Sequence, residues 1–272
     1  MKRSFAKGPR PGGDSDASQG EHSRDENRFF MEQLPLSDGE FELDGDEAAH
    51  IAGSRRMRAG EAVTLFDGSG WDVNATIVDR RARCIRLAVT ARVHVGPATT
   101  TRIVCATALP KGSREDMLVS KCAELGVARL VPVEFERSVV HAGERWENRK
   151  ERFRRLAIEG AKQCGASTIM EIGDPVTLGE ALASRKGLGL IGVPKAAQGV
   201  IDALGGAWPF EEVTYLVGPE GGTTAGEEAS AADAGFLLVR IAATTLRIET
   251  ACLAFAAVTA AFVSGRVASP AR

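Results

Sequence analysis

Residues 28 to about 95 carry short segments of strand character, separated by turn chemistry. Ala62-Val63-Thr64-Leu65-Phe66, Asn74-Ala75-Thr76-Ile77-Val78 and Ile85-Arg86-Leu87-Ala88-Val89 are such segments, and Asp67-Gly68-Ser69-Gly70 is such a turn. The pattern predicts a small β-barrel or sandwich. Upstream, residues 1 to about 27 hold Gly, Ser, Asp, Glu, Arg and Lys with little that is large and apolar beyond Met1 and Phe5. Such a segment cannot repay the entropy of ordering, so a disordered tail is expected. Gly96-Pro97-Ala98 reads as a linker.

After the linker the period changes to strands alternating with helices. Arg102 to Leu109 is a continuous apolar strand, and Ser113 with Asp116 predicts a capping box opening a helix through Leu125, closed by Gly126. Leu130 to Val133 is the next strand. Phe153, Leu156, Ala157, Ala161 and Cys164 recur at helical spacing up to Gly165, and Thr168 to Ile172 reads as a strand. Leu188 to Val193, Val213 to Val217 and Phe236 to Ile241 add three more. A helix capped by Thr224 and Glu227 lies between the last two, and a final helix runs from Ala251 to Val263. Such alternation implies a parallel sheet covered on both faces, so residues 96–272 are expected to form an α/β domain.

At 272 residues the chain has room for one large or two smaller domains. With 44% hydrophobic and 26% charged residues it has ordinary globular composition, which excludes collagen-like, coiled-coil and wholly disordered classes. The Ala251 to Val263 run is shorter than the ~20 residues of a membrane helix, and no apolar segment follows the charged N-terminus. A cytoplasmic protein without a membrane partner is therefore expected. Five cysteines without a C-x-x-C pair, and four histidines, give no metal signature. The net charge of −2 argues against a nucleic-acid partner, yet positive charge is clustered. Arg55, Arg56 and Arg58 form one cluster; Arg80, Arg81, Arg83 and Arg86 a second; and Arg145, Arg149, Lys150, Arg152, Arg154 and Arg155 a third.

Gly187-Leu188-Gly189-Leu190-Ile191-Gly192 is a literal G-x-G-x-x-G, but its glycines fall within the strand and Pro194 follows. A dinucleotide turn needs them after the strand, opening a helix. Glycines for close packing are the better reading. Two strand-to-helix loops carry more information: Leu216-Val217-Gly218-Pro219-Glu220-Gly221-Gly222, and Leu246-Arg247-Ile248-Glu249-Thr250-Ala251. Loops at the carboxyl ends of parallel strands border the crevice in which α/β sheets bind ligands.

Those two motifs together resemble the RsmE family of ribosomal RNA methyltransferases, of the SPOUT superfamily. The resemblance extends, in the same order, to His50–Arg58, Leu109-Pro110-Lys111-Gly112, Lys121 to Val127, Glu136-Arg137-Ser138 and Gln163-Cys164-Gly165, and covers roughly residues 28 to 265. It implies a PUA-like RNA-binding β-barrel over residues 28–95, then an α/β methyltransferase domain with a trefoil knot over 96–272. It further implies a homodimer, S-adenosylmethionine as cofactor, and methylation of N3 of a uridine in small-subunit (16S) ribosomal RNA. Cofactor contacts are implied for Val193, Pro194, Leu216, Val217, Gly218, Gly222, Ile241 and Leu246.

The chain departs from the family where Ala242-Ala243-Thr244 replaces the usual Gly-x-Arg, and where Ala166 follows Gln-Cys-Gly. Since uridine N3 is only weakly acidic, its deprotonation must be assisted. Arg247 is expected to hold the uracil oxygens or a phosphate, and Glu249 to orient Arg247 or act as base. Arg55, Arg56, Arg58, Arg80, Arg81, Arg83 and Arg86 are expected to grip RNA phosphates. The alternative, motivated by residues 242–244, is a non-catalytic RNA-binding protein that retains the fold.

Overall fold

The computed structural model describes residues 27–53, 57–81, 84–97, 101–140, 143 and 145–266. The predicted tail lies outside the described residues up to position 26, as do Arg55, Arg56 and Arg83.

The first sheet has five strands: β1 (Arg28–Phe30), β2 (Glu40–Asp44), β3 (Ala62–Phe66), β4 (Trp71–Arg80) and β5 (Cys84–His94), in the order β1-β3-β4-β5-β2. The β3–β4 and β4–β5 pairs are antiparallel, whereas β1 runs parallel to β3. Period-two burial is evident in β4, where Val73, Ala75 and Ile77 join Leu65, Ile85 and Leu87 in one apolar cluster. Helix α1 (Gly45–Gly53), which strand periodicity does not predict, closes that cluster with Ala48 and Ile51.

The second sheet is wholly parallel, in the order β12-β10-β11-β6-β7-β8, with β9 paired to β7. Its strands are β6 (Arg102–Thr107), β7 (Arg129–Glu134), β8 (Glu171–Ile172), β9 (Val176–Thr177), β10 (Leu188–Gly192), β11 (Glu212–Val217) and β12 (Phe236–Val239). The helices are α2 (Arg114–Glu124), α3 (Trp146–Cys164), α4 (Leu178–Ala183), α5 (Val200–Ala207), α6 (Ala225–Asp233) and α7 (Ile248–Ser264). Five consecutive residues of β6 and of β11 are buried, as expected of strands covered on both faces. Cys105, Cys122 and Cys252 are free thiols in this core, and burial pushes those of Cys105 and Cys252 well up in pKa. The α/β reading is therefore what the second half adopts.

Local differences from the sequence reading have physical causes. Ser113 is itself helical (φ −61°, ψ −12°) and makes no side-chain cap; nearby, Asp116 meets Arg152 at 3.2 Å and Glu115 meets Arg152 at 2.8 Å. By contrast, Thr224 and Glu227 form the predicted capping box, and Thr177 with Glu180 forms a second one at α4. The strand expected over Thr168 to Ile172 is only Glu171–Ile172, because the preceding residues contact the first sheet: Thr168 bridges Ser69, and Gly70 N donates to the Ser167 carbonyl. The strand expected to reach Ile241 ends at Val239, and Arg240 bridges Gly199 instead. The final helix starts at Ile248, three residues before Ala251.

The G-x-G-x-x-G glycines serve packing. A Cβ on Gly187 would strike the Glu212 carbonyl, one on Gly189 would lie 2.8 Å from the Phe236 ring, and one on Gly192 would lie 3.0 Å from Phe255.

The two sheets meet at Arg28. Its guanidinium pairs with Asp72 at 2.7 Å on its own sheet, lies over the Phe66 ring, and donates to the Ala166 carbonyl and Ser167 Oγ on the other side. Around it, Arg154 of α3 makes a two-toothed pair with Glu32, and Lys162 pairs with Glu47 of α1 at 2.7 Å. Burial works against the Lys162 charge, but the hydrogen bond to Glu47 leaves its pKa raised. This tie contributes fully below the ordinary lysine value of about 10.4 and is lost as pH rises through the raised one.

Removing one partner from a buried pair leaves an uncompensated charge. Arg28→Met should therefore lower stability by about 3–5 kcal/mol. Urea denaturation checks it: the double variant Arg28→Met/Asp72→Leu should lose clearly less than the single one.

Candidate functional site

Three loops leave the carboxyl ends of β10, β11 and β12 and enclose one cleft with the start of α7. Its empty volume, open to solvent at the mouth, is about 670 Å³. Val193 and Pro194 form one wall. Val217, Gly218, Pro219, Glu220, Gly222 and Thr223 form the second; Ile241, Ala242, Thr244, Thr245 and Leu246 form the third. The floor is apolar: Ile248, Ala251 and Phe255 recur on one face of α7.

Backbone interactions fix these loops. Val193 N donates to the Val239 carbonyl, and Arg240 Nη1 donates to the Ala196 carbonyl at 2.7 Å, tying the first loop to the end of β12. The second loop contains a turn closed by Gly222 N to the Pro219 carbonyl at 2.9 Å, and then enters the capping box of α6. Its glycines do different things. A Cβ on Gly218 would lie 2.8 Å from Thr223 Cγ2, so Gly218 lets the loop fold on itself. Gly222 has φ +71°, where side chains are strained, and a Cβ there would meet nothing within 4 Å: it faces open cleft.

The structure gathers Val193, Pro194, Val217, Gly218, Gly222, Ile241 and Leu246 around this cleft. Leu216 is the exception. It is fully buried in β11, paired in register with Ile191 and Ala106, and supplies strand rather than wall. Glu220, Thr223, Thr244, Thr245 and the α7 floor are lining residues that the sequence reading did not select. Glu220 is the only charged side chain lining the cleft among the described residues. A mostly apolar pocket with backbone polar groups and one carboxylate suits a flat heterocycle bearing a cationic chain.

Arg247 is the N-cap residue of α7, exposed, with no side-chain hydrogen bond or ion pair among the described residues. Among the described residues Glu249 makes no direct contact with it. Two residues apart, the side chains point in different directions. The Glu249 side chain is 4% exposed and faces Arg114 of α2, Oε1 to Nη1 at 3.8 Å, while its Oε2 has no hydrogen-bond partner among the described residues. Arg114 Nη2 also approaches Glu220 Oε1 at 3.6 Å, and Arg114 Nε donates to the Lys111 carbonyl. One guanidinium thus links the Gly-Pro-Glu-Gly-Gly loop to the start of α7. Arg114 carries no motif signal; only its contacts reveal it.

On the first sheet Arg58 and Arg80 are exposed at residue level, and Arg80 Nη1 donates to the Met57 carbonyl at 2.9 Å. Arg81 lies 3.7 Å from Asp79 and Arg86 lies 3.5 Å from Glu40. No group of three or more metal-ligating side chains occurs among the described residues, and no helix there is long and apolar enough to cross a membrane.

Arg114→Met should strand the buried Glu249 carboxylate and cost about 1–3 kcal/mol of stability. Most of that loss should return in Arg114→Met/Glu249→Gln, read as the coupling in a double-mutant cycle by chemical denaturation.

Comparison with known proteins identifies relatives of the chain. Residues 97–260 match a family model described as an RNA methyltransferase domain, and residues 43–82 match one described as an RNA methyltransferase PUA domain. The chain is 28% identical over 231 residues to the ribosomal RNA small subunit methyltransferase E of Mycobacterium bovis, covering 82% of this chain and 87% of the relative. It is 24% identical over 237 residues to the protein of the same name from Bacillus subtilis, covering 83% and 93%. The crystal structure of a ribosomal RNA small subunit methyltransferase E from Neisseria gonorrhoeae, bound to S-adenosyl methionine, superposes with a TM-score of 0.77 at 28% identity. That match covers 86% of this chain and 96% of the other.

Proposed function

The chain belongs to the RNA methyltransferase family, among the RsmE proteins, and on that footing we propose that it transfers a methyl group from S-adenosylmethionine to N3 of a uridine in 16S ribosomal RNA. The observation that carries this reading is the cleft. Gly222 presents open space to it, apolar residues floor it, and Glu220 offers a carboxylate to a cationic ligand. The residues fit S-adenosylmethionine, with Val193, Pro194, Val217, Gly218, Gly222, Ile241 and Leu246 holding it. Bound there, it supplies an activated methyl group open to in-line displacement.

The protein's part is then to orient the uracil and to stabilise the charge left when N3 loses its proton. Arg247, exposed at the rim between cleft residues Leu246 and Ile248, holds the uracil oxygens as that charge develops. Glu249 does not reach the cleft wall; it acts through Arg114 by fixing the loop that carries Arg247. The target base must leave its stack to expose N3. Residues 242–244 leave the cleft open, with Ala242 and Thr244 in its wall, which favours catalysis over the non-catalytic alternative.

In the same reading, residues 28–95 and 96–272 are two domains, supported by two separate apolar clusters. The first is a PUA-like barrel; register shifts in β4 at Asn74/Ala75 and Ile77/Asp79 supply the curvature. Its Arg55, Arg56, Arg58, Arg80, Arg81, Arg83 and Arg86 contact RNA phosphates. The second is knotted: after edge strand β12 the chain returns so that α7 packs on β6 and β11. Part-exposed Leu253 and Val258 of α7 support a homodimer, and the substrate in this reading is the cytoplasmic small ribosomal subunit.

Gly222→Val strains the left-handed turn and fills the open space, so S-adenosylmethionine affinity should collapse while RNA affinity survives, as measured by calorimetry and RNA titration. Arg247→Ala should lower methyl incorporation far more than either binding step. Mass spectrometry of ribosomal RNA nucleosides from a deletion strain tests the reaction itself: 3-methyluridine should vanish and return with the wild-type gene. For the dimer, sedimentation at micromolar concentration should give twice the 28.8 kDa chain mass.

A further inference from the structure

Three cations stand around the mouth of the cleft without a part in the reaction as proposed. Lys111 lies between β6 and α2, Arg137 follows β7, and Lys195 follows β10, so all three share the carboxyl edge of the parallel sheet with the cleft. All three are exposed, and among the described residues none pairs with a carboxylate. Arg137 lies along the second loop. Its Nη1 donates to the Gly221 carbonyl at 3.0 Å, and its Cβ lies 3.3 Å from where a Gly221 Cβ would stand. The Lys111 carbonyl accepts from Arg114, whose other end reaches Glu220 in the cleft wall. Lys195 directly follows wall residue Pro194.

Along α3 positive charge is largely spent. Arg149 and Arg152 share Glu115, Lys150 holds Asp174 and Arg154 holds Glu32. Of the carboxylates near the rim, Glu227 is held by the backbone N–H groups of Thr224 and Glu136, and Glu220 lies 3.6 Å from Arg114. Positive charge without a carboxylate partner among the described residues therefore stands where a polyanion would enter the cleft.

We propose that Lys111, Arg137 and Lys195 form a phosphate-gripping rim for the single-stranded RNA flanking the methylated nucleotide, a contact of the catalytic sheet separate from that of the first sheet. The inference rests on the RNA substrate proposed above. The rim holds the strand on either side of the opening, so the extruded base is presented to the cleft while the first sheet grips more distant phosphates.

The test is the salt dependence of binding to a 16S ribosomal RNA fragment carrying the target loop. Each lost contact to single-stranded RNA lowers the log–log slope by about 0.7, so Lys111→Gln/Arg137→Gln/Lys195→Gln should lose about 2 in slope. In Lys111→Gln/Lys195→Gln, S-adenosylmethionine affinity, by calorimetry, should stay within twofold. Because Arg137 also braces the second loop, Lys111→Gln/Lys195→Gln is measured beside it; it disturbs no loop contact and should lose about 1.4 in slope. Arg137→Lys should retain the wild-type slope. Wild-type slopes in both multiple variants, with the wild-type protein methylating the RNA, would overturn the rim and leave the methyltransferase reading standing. A wild-type protein that neither binds nor methylates the fragment would remove both.

Discussion

A guanidinium with almost no access to water must find acceptors within the protein, and Arg28 finds them on both sides of the boundary between the sheets. Asp72 neutralises it on one side; Ser167 and the Ala166 carbonyl bind it on the other. The strength of a buried charge network lies less in its net energy than in its intolerance of misplacement. If the first sheet slid by a residue, the charge would remain buried with half of its partners gone. The relative placement of the proposed RNA grip and the cleft is thereby fixed by electrostatics.

The same logic recurs at the cleft on a smaller scale. Arg114 sits between Glu220 and Glu249, so loops that follow different strands are referred to one guanidinium at the start of α2. The second loop is further held by Thr223 Oγ1 on Glu228 and by the Thr224–Glu227 capping box. A wall made largely of backbone keeps its shape only when such side chains anchor it from behind.

What the sequence made legible follows from the range of the forces involved. Strand–helix alternation, the Thr224–Glu227 box and the Gly165 stop are local, and the structure contains them. The two loop motifs were legible because short backbone-rich turns need unusual residues. Leu216 is fully buried in β11 behind the wall, and a motif does not tell which of its residues face inward from the strand. The Ser113 cap does not form, and Glu249 contacts Arg114 rather than Arg247, for another reason. Arg152 and Arg114 draw those carboxylates across the fold, and such partners are invisible in a linear reading. The α4 cap was legible as Thr177-x-x-Glu180 but is attached to a helix too short to show periodicity.

The position of β11 has a consequence for how the chain is made. It lies between β10 and β6, and Thr107 at the end of β6 bonds the Val217 carbonyl 110 residues downstream. During synthesis, β6 therefore waits with one apolar edge unpaired until β11 emerges, while β3, β4 and β5 of the first sheet can close at once on their sequence neighbours. Vectorial synthesis thus leaves a long interval in which an open, aggregation-prone strand edge depends on chaperones or on speed of translation. Completion is late and abrupt: the central strand pair, and with it the cleft, can form only after most of the polypeptide has left the ribosome.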